Sequence, residues 1–373
     1  MQYRIGKMYA AGLGTEQDYT LAASWFNKAV EKNHNICKAN TSLPLYSLAG
    51  LYYRGQGVEQ SYTKAFELYE KSAMQGNAYA SYELAKMLRD GVGCEQDTSK
   101  SNRHFETALI GFEIMEAERS DDKLQYRLGQ MLRDGIGTEP NVVQARLYFE
   151  SSSKLGNSNA QYALAMMIIQ SGEAERRPEA IKWLTKSAGE KNPFAGYSLG
   201  KLYLDGVHVE KDIPKAVALF TMSAEQKNEF AQYQLGKVFL QGEDVPKDVS
   251  AAMRWLTASA EQNNEYAQYQ IGKLYLLGRD VPRDREQAVY WLTLSAAQGN
   301  EYAQFFLDRI DQFQNGSLLS SATGLLRGLS KLFDEQQQQQ TVKANHIDRK
   351  RMRELRAKQQ AQGHAKDEQI QNY

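Results

Sequence analysis

The chain has 373 residues, 42% of them hydrophobic, and its 45 lysines and arginines balance 45 aspartates and glutamates. A net charge of zero argues against a global field that attracts polyanions, and no apolar run approaches the roughly 18 residues of a membrane-spanning helix. The two cysteines, Cys37 and Cys94, form no pattern of pairs, so we expect a cytoplasmic protein with neither a disulfide framework nor a zinc site.

One sequence pattern recurs along most of the chain. Residues 231–264 read AQYQLGKVFLQGEDVPKDVSAAMRWLTASAEQNN, and residues 267–300 read AQYQIGKLYLLGRDVPRDREQAVYWLTLSAAQGN. Ala195, Ala231, Ala267 and Ala303 hold the same place, at intervals of 36 residues. A self-similar period of this length is typical of a solenoid built from helix pairs.

The first helix of each repeat is predicted from an apolar face, formed in one repeat by Ala231, Leu235 and Phe239 at spacings of four. A glycine recurs inside this helix, where it costs about 1 kcal/mol against alanine, so we expect it to allow close approach of the partner helix. These glycines are Gly6, Gly50, Gly129, Gly200, Gly236 and Gly272. A further glycine, such as Gly242, is expected to end the helix in a left-handed conformation, as at Gly206 and Gly278.

The second helix of each repeat is predicted to begin at a residue whose side chain can cap a helix N-terminus. The expected caps are Asp18, Ser61, Asp97, Asn141, Asp212, Asp248 and Asp284. A small residue follows four positions later (Ala252, for example), and a large one seven positions after the cap. The large residues are Trp25, Leu68, Tyr148, Leu219, Trp255 and Trp291. We expect Trp183, Trp255 and Trp291 to lie in the core, packed against facing helices.

The recurring residues resemble the Sel-one-like repeat family, which is related to tetratricopeptide repeats. Eight residues of one repeat carry the resemblance: Ala231, Leu235, Gly236, Phe239, Gly242, Ala252, Trp255 and Ala260. It covers roughly residues 1–305. It implies an all-α fold, an α-solenoid or superhelix of about eight antiparallel helix pairs. It also implies a surface for proteins or peptides, and no activity.

In chain order, the repeats depart from regularity at a few places. The first repeat starts at Met1 with no capping unit before it, so we expect the chain to be part of something longer. The fourth repeat follows about eight extra residues, which are either a tolerated loop or part of a binding face. In the fifth repeat Arg176 stands where the N-cap belongs, which indicates a local defect or a seam between two sub-arrays. A half-repeat from Ala303 to about Phe313 is predicted to close the array.

The sequence divides into four predicted segments. Residues 1–316 form the solenoid, residues 317–333 an amphipathic helix, residues 334–345 a glutamine-rich linker, and residues 346–373 a basic tail. The amphipathic helix has three interpretations: a cap over the last repeat, a ligand for a partner, or a helix on a membrane surface.

No residue pattern indicates catalysis. The five histidines lie outside the H-x-H and H-E-x-x-H spacings, and neither a G-x-S-x-G motif nor a P-loop occurs. We therefore expect no enzymatic activity, no cofactor and no metal.

A tyrosine and a lysine four residues apart recur on the first helices, and these pairs are the predicted partner-binding residues. The pairs are Tyr82 with Lys86, Tyr197 with Lys201, Tyr233 with Lys237, and Tyr269 with Lys273, with Tyr3 and Lys7 in the same places. Such a row offers aromatic contacts and hydrogen-bond donors to an extended peptide or acidic segment. The structural alternative is that each tyrosine packs between neighbouring first helices while each lysine is solvated.

Two functions follow from these patterns. The first is a non-catalytic scaffold that binds a protein or peptide. The second rests on residues 317–373, which resemble C-terminal tails of plasmid mobilisation relaxases. In this interpretation the chain is an accessory part of such a protein, and its tail contacts DNA or the transfer machinery. The predicted DNA-contacting residues are Arg349, Lys350, Arg351, Arg353, Arg356 and Lys358. The alternative for the tail is a solvated charged segment.

The DNA function predicts that a peptide of residues 341–373 shifts duplex DNA in a gel assay. The shift should weaken as salt rises, because lysines and arginines that neutralise phosphates release counterions. A peptide that binds no duplex even at low salt would remove this function from consideration.

Overall fold

The computed structural model describes residues 1–34, 41–243 and 245–311. The predicted amphipathic helix, the glutamine-rich linker and the basic tail lie outside the described residues, and so do all six predicted DNA-contacting residues and Cys37.

The described residues form an all-α solenoid of helix pairs, as predicted. Within them the regular structure consists of seventeen α-helices and one short 3-10 helix. The α-helices are α1 (Gln2–Ala11), α2 (Tyr19–His34), α3 (Ser42–Arg54), α4 (Tyr62–Ala73), α5 (Ala78–Asp90), α6 (Thr98–Glu118), α7 (Asp122–Asp134), α8 (Val142–Lys154), α9 (Ser158–Ser171), α10 (Arg177–Gly189), α11 (Pro193–Asp205), α12 (Ile213–Glu225), α13 (Glu229–Gln241), α14 (Val249–Glu261), α15 (Glu265–Leu277), α16 (Arg285–Ala296) and α17 (Glu301–Asp308). The 3-10 helix is Ala174–Arg176.

The chain divides into two compact units between Trp183 and Leu184, inside α10. In each unit the odd-numbered helices are the first helices of the repeats and the even-numbered helices are their partners. From α1 to α9 and from α11 to α17, each helix packs on its neighbours in sequence, and this sequential packing is the pattern expected of stacked repeats.

Local capping chemistry sets where the helices begin and end. All seven predicted N-caps of second helices are confirmed; the Asp248 carboxylate, for example, accepts the Ala251 backbone N–H at 2.9 Å. The predicted left-handed glycines are confirmed too, with Gly242 at φ 67°. An asparagine that precedes each of several first helices caps it in the same way; these are Asn77, Asn157, Asn192, Asn228, Asn264 and Asn300.

The glycine inside the first helix marks the closest approach of the two helices in a repeat. A Cβ on Gly129 would lie 2.6 Å from the Phe149 ring, and one on Gly236 would lie 2.6 Å from Leu256 Cγ. Gly6, Gly200 and Gly272 face the equivalent side chains in the same way. The prediction is wrong at Gly50, where a Cβ would meet only the guanidinium of Arg54 in its own helix, at 3.2 Å.

The large residue that fills the space beneath the glycine comes eight positions after the cap, one later than predicted. Leu256 is fully buried, whereas Trp255 is only half-buried. The other buried residues of this position are Phe26, Tyr69, Phe105, Phe149, Phe220 and Leu292. The reason is helical geometry: Ala252, Leu256 and Ala260 lie four apart on one face, and position 255 is rotated by about 100° from position 256.

The expectation that the tryptophans lie in the core is therefore wrong, because their side chains are less buried than core residues. Trp183, Trp255 and Trp291 are each half-buried and lie at the edge of the core. Trp255 and Trp291 pack against the buried clusters of unit 2, while the Trp183 indole N–H donates to Glu179 at 3.3 Å.

A buried serine ties the two helices of a repeat together. The Ser259 hydroxyl donates to the Glu229 carbonyl at 2.7 Å, 30 residues earlier, in the first turn of the preceding helix. Ser72, Ser152, Ser223 and Ser295 make the same bond at the same separation, and all five serines are completely buried. These serines thus supply a hydrogen-bond donor, and their small side chains also leave room for close packing of the two helices.

In the fifth repeat the second helix is preceded by a 3-10 helix that has no side-chain cap. The 3-10 helix Ala174–Arg176 leads directly into α10, and the Arg176 guanidinium bonds Glu179 at 2.9 Å, with Glu150 and Glu173 at 3.4 and 3.5 Å. Ion pairs to three carboxylates therefore stand where the other repeats have a capping oxygen. The division between the two units falls seven residues later in the same repeat.

These contacts predict opposite effects of one substitution at two glycines of unit 1. Gly129→Ala should lower the free energy of unfolding by about 1–3 kcal/mol, because the new methyl group overpacks against the Phe149 ring. Gly50→Ala should instead raise it by up to about 1 kcal/mol, because the helix gains propensity and only a flexible Arg54 must move. Urea denaturation followed by circular dichroism measures both, and equal shifts would contradict the assigned contacts.

Candidate partner-binding surface

The predicted tyrosine–lysine pairs lie on the first helices, and we call the surface they form the first-helix face. In unit 2 the rings are almost entirely buried: Tyr197 is 8% exposed, and Tyr233 and Tyr269 are each 2% exposed. Each ring contacts an aromatic ring of the next first helix, with centroid distances of 5.8 Å to Phe230, 6.1 Å to Tyr266 and 6.3 Å to Tyr302. The rings thus pack between neighbouring helices, as in the structural alternative.

The lysines of the pairs differ from that alternative because they are not fully solvated. Lys86, Lys201, Lys237 and Lys273 are half-buried, while Lys7 is exposed. The ammonium nitrogen lies over the ring of its own pair, 5.8 Å from the Tyr82 centroid, 5.8 Å from Tyr233 and 5.7 Å from Tyr269. The first-helix face therefore presents cations that rest on a layer of packed aromatic rings.

Two lysines of this face have opposite electrostatic surroundings. Burial lowers the pKa of Lys201, and the Asp205 carboxylate opposes the shift only in part. Burial also raises the pKa of Asp205. At Lys86 burial acts in the same direction, but the Glu83 carboxylate, 2.8 Å from Nζ, outweighs it and raises the pKa. Lys86 is thus held as a cation by its own helix, whereas Lys201 lacks an equally effective counter-charge.

In unit 1 the first-helix face carries a cluster of aromatic rings around one arginine, which the sequence analysis missed. The Arg127 guanidinium carbon lies 4.9 Å from the centroid of Tyr82, 5.4 Å from Tyr79 and 5.5 Å from Phe112. The signal was present in the repeat itself, because Arg127 holds the place of Gln234 in the regular repeats.

The part of the chain that the structure describes contains no group of three or more histidine, cysteine or acidic side chains placed to hold a metal ion. Among the same residues, none of the helices combines the length and the apolar character needed to cross a bilayer.

A known family of repeat sequences matches this chain at the places where its own pattern recurs. A sequence model described as the Sel1 repeat matches eight times, at residues 1–34, 45–77, 78–109, 123–157, 158–192, 193–228, 230–264 and 265–300. A search of curated proteins finds no match.

Two solved structures are similar over most of the chain. One is a protective antigen of uropathogenic Escherichia coli with an SLR fold, which is 32% identical with a TM-score of 0.52, over 81% of this chain. This chain spans 62% of the length of that antigen. The other is a Sel1 repeat protein of Oxalobacter formigenes, 24% identical with a TM-score of 0.55, covering 83% of this chain and 85% of the other.

The electrostatics of this face predict that Lys201 releases its proton at lower pH than Lys86. Asp205→Asn should lower the pKa of Lys201 further, because it removes the charge that favours the ammonium. An NMR titration of the lysine side chains, with Lys201→Met for assignment, measures both values.

The sign of the effect on stability follows from the same shifts. Below its ordinary value of 10.5, Lys201 loses its proton in the folded chain before it does in the unfolded chain, so its contribution to stability rises with pH in that window. Lys86 behaves oppositely, and its contribution falls as the pH rises from 10.5 through its raised pKa. Coincident titration of the two lysines would contradict the assigned surroundings.

Proposed function

The chain belongs to the Sel1 repeat family, and from this premise we propose that it is a non-catalytic scaffold that binds an extended peptide segment of a protein partner along the first-helix face. Proteins of this family generally serve as protein-interaction scaffolds. The observation that carries the proposal is the row of half-buried lysines at equivalent positions of successive repeats, two of which, Lys237 and Lys273, rest on a packed tyrosine ring.

The rigidity of this face supports the proposal. Lys237 and Lys273 lie over tyrosines that are 2% exposed and locked between neighbouring helices. A side chain held in this way loses less conformational freedom on binding than a solvated lysine, whose ordering costs up to about 2 kcal/mol. The face is therefore organised before a partner arrives.

The charge pattern of this face supports an acidic or hydrogen-bond-accepting segment. Burial lowers the pKa of Lys201, and a carboxylate supplied by a partner would restore the balance in favour of its ammonium form. The repeat spacing places one such lysine on α11, α13 and α15, so that a peptide running across the first helices meets them in succession.

The proposal can be tested by selection of a random-peptide phage library on the intact chain. Peptides that the chain enriches should bind about tenfold or more weakly when Lys201, Lys237 and Lys273 are replaced together by glutamate, because like charges then face an acidic peptide. Fluorescence anisotropy with the synthesised peptides gives the affinities.

The matched control is the triple replacement by glutamate of Lys154, Lys182 and Lys186, three exposed lysines outside the first helices, which makes the same change in net charge. Its affinity should stay within about twofold of the unchanged protein, because screening confines charge effects to roughly 10 Å. Failure to enrich any peptide, or equal weakening in both triples, would reject the first-helix face as the binding surface.

A further inference from the structure

The aromatic cluster of unit 1 holds Arg127 in place without giving it an ion-pair partner. Its guanidinium lies within 5.5 Å of the centroids of three rings, from Tyr79 and Tyr82 on α5 and Phe112 on α6. The buried Phe112 ring and the half-buried Tyr79 ring pack edge to face, 5.0 Å apart, which leaves the guanidinium plane little freedom. Arg127 is itself half-buried, so one side of it faces solvent.

The hydrogen-bonding capacity of this guanidinium is unused within the described ranges. An arginine has five N–H donors in a fixed planar fork. None of them makes a hydrogen bond or salt bridge to the described residues, and Nη1 is buried without an acceptor. Arg133, the other arginine of the same helix, does have an acidic partner: its guanidinium donates to the Asp134 carboxylate at 2.7 and 2.8 Å. Nη1 of Arg127 is out of reach of a ligand from solvent, so the N–H groups of Nε and Nη2 are the donors that a ligand with hydrogen-bond acceptors would pair with.

The charges around Arg127 select the kind of acceptor. The Tyr82 ring lies beneath both Arg127 and Lys86, and the Lys86 ammonium is paired with Glu83 at 2.8 Å. Two cations and one carboxylate lie at the Tyr82 ring, and the Asp121 carboxylate acts on the neighbouring Tyr79 ring, so an acceptor with a single negative charge suits the site better than one with two. A carboxylate also matches the planar fork with two parallel hydrogen bonds. A phosphate dianion would leave an excess negative charge next to Glu83.

We propose that Arg127 forms a carboxylate-binding site on the first-helix face of unit 1, which accepts a glutamate or aspartate side chain of the bound peptide. The inference rests on the proposed scaffold function and adds to it the chemistry that one side chain of the partner must carry. Tyr79, Tyr82 and Phe112 hold the guanidinium plane, and Lys86 with Glu83 sets the local charge.

Fluorescence anisotropy of a labelled, C-terminally amidated hexaglutamate peptide with the full chain tests the site. Arg127→Gln should weaken binding by about tenfold to a hundredfold, since a hydrogen bond to a charged group contributes about 1.5–3 kcal/mol. Arg127→Lys should also weaken it, because it keeps the charge but loses the fork. Arg133→Gln removes the same charge from the same helix and should leave the affinity within about twofold.

A second measurement reports on the site itself in the unaltered protein. In an NMR titration with the same peptide, the Nε–Hε signal of Arg127 should shift, while hexaglutamine should leave it in place. A thermal melt confirms that the variants fold. The proposal is overturned by equal affinities of the Arg127→Gln and Arg133→Gln variants, by no binding of hexaglutamate, or by tighter binding of a phosphoserine peptide than of hexaglutamate.

Failure of this inference and failure of the scaffold function give different results. If library-selected peptides bind through the lysines of unit 2 and ignore Arg127→Gln, the scaffold stands and the carboxylate site falls. If hexaglutamate binds at Arg127 but the library-selected peptides are unaffected by the triple replacement of Lys201, Lys237 and Lys273, the carboxylate site stands and binding along the lysines of unit 2 is rejected.

Discussion

In five repeats the fold depends on close contact between the two helices at a glycine, a residue without a Cβ. Where Gly236 faces Leu256, the added methyl group of an alanine would lie at 2.6 Å, a distance that side chains do not adopt. The glycine lowers helix propensity, but it lets the second helix lie near enough for Ser259 to reach the backbone of the first. Capping residues then set the length of each helix, and the length sets the stacking of one repeat on the next.

The parts of the fold that the sequence predicts are those governed by local chemistry. Asp248 caps α14, and Gly242 ends α13, because the backbone groups at helix ends require these residue types wherever the helix lies. The tryptophan position and Gly50 were predicted wrongly for a common reason. Both depend on which side chain of one helix meets the other, and a shift of a single residue turns a side chain by about 100°. Repetition shows that a position is constrained, but it does not identify the contact.

The sequence predicted which helices carry the tyrosine–lysine pairs, but not how deeply their side chains are buried. The four-residue spacing of Tyr233 and Lys237 correctly placed both on a first helix, yet the ring is buried and the lysine half-buried. A spacing rule cannot give these values, since they depend on Tyr266 of the following repeat. Arg127 was missed because the prediction used only residue types that recur from repeat to repeat, and arginine is not the usual residue at this position. In a repeat array the framework residues recur, and a residue that departs from the pattern on an exposed face is where recognition of a particular partner can reside.

The serine bonds also determine how the chain responds to force. Each joins two points 30 residues apart inside one repeat, so it breaks when that repeat opens and leaves the hydrogen bonds of its neighbours intact. A pull on the ends of unit 2 therefore meets a series of similar, independent mechanical joints. Each joint releases a length of chain of roughly 100 Å, since an extended chain spans about 3.3–3.6 Å per residue. A stack of such repeats lengthens in discrete steps under tension, while the repeats that stay closed keep their surfaces intact.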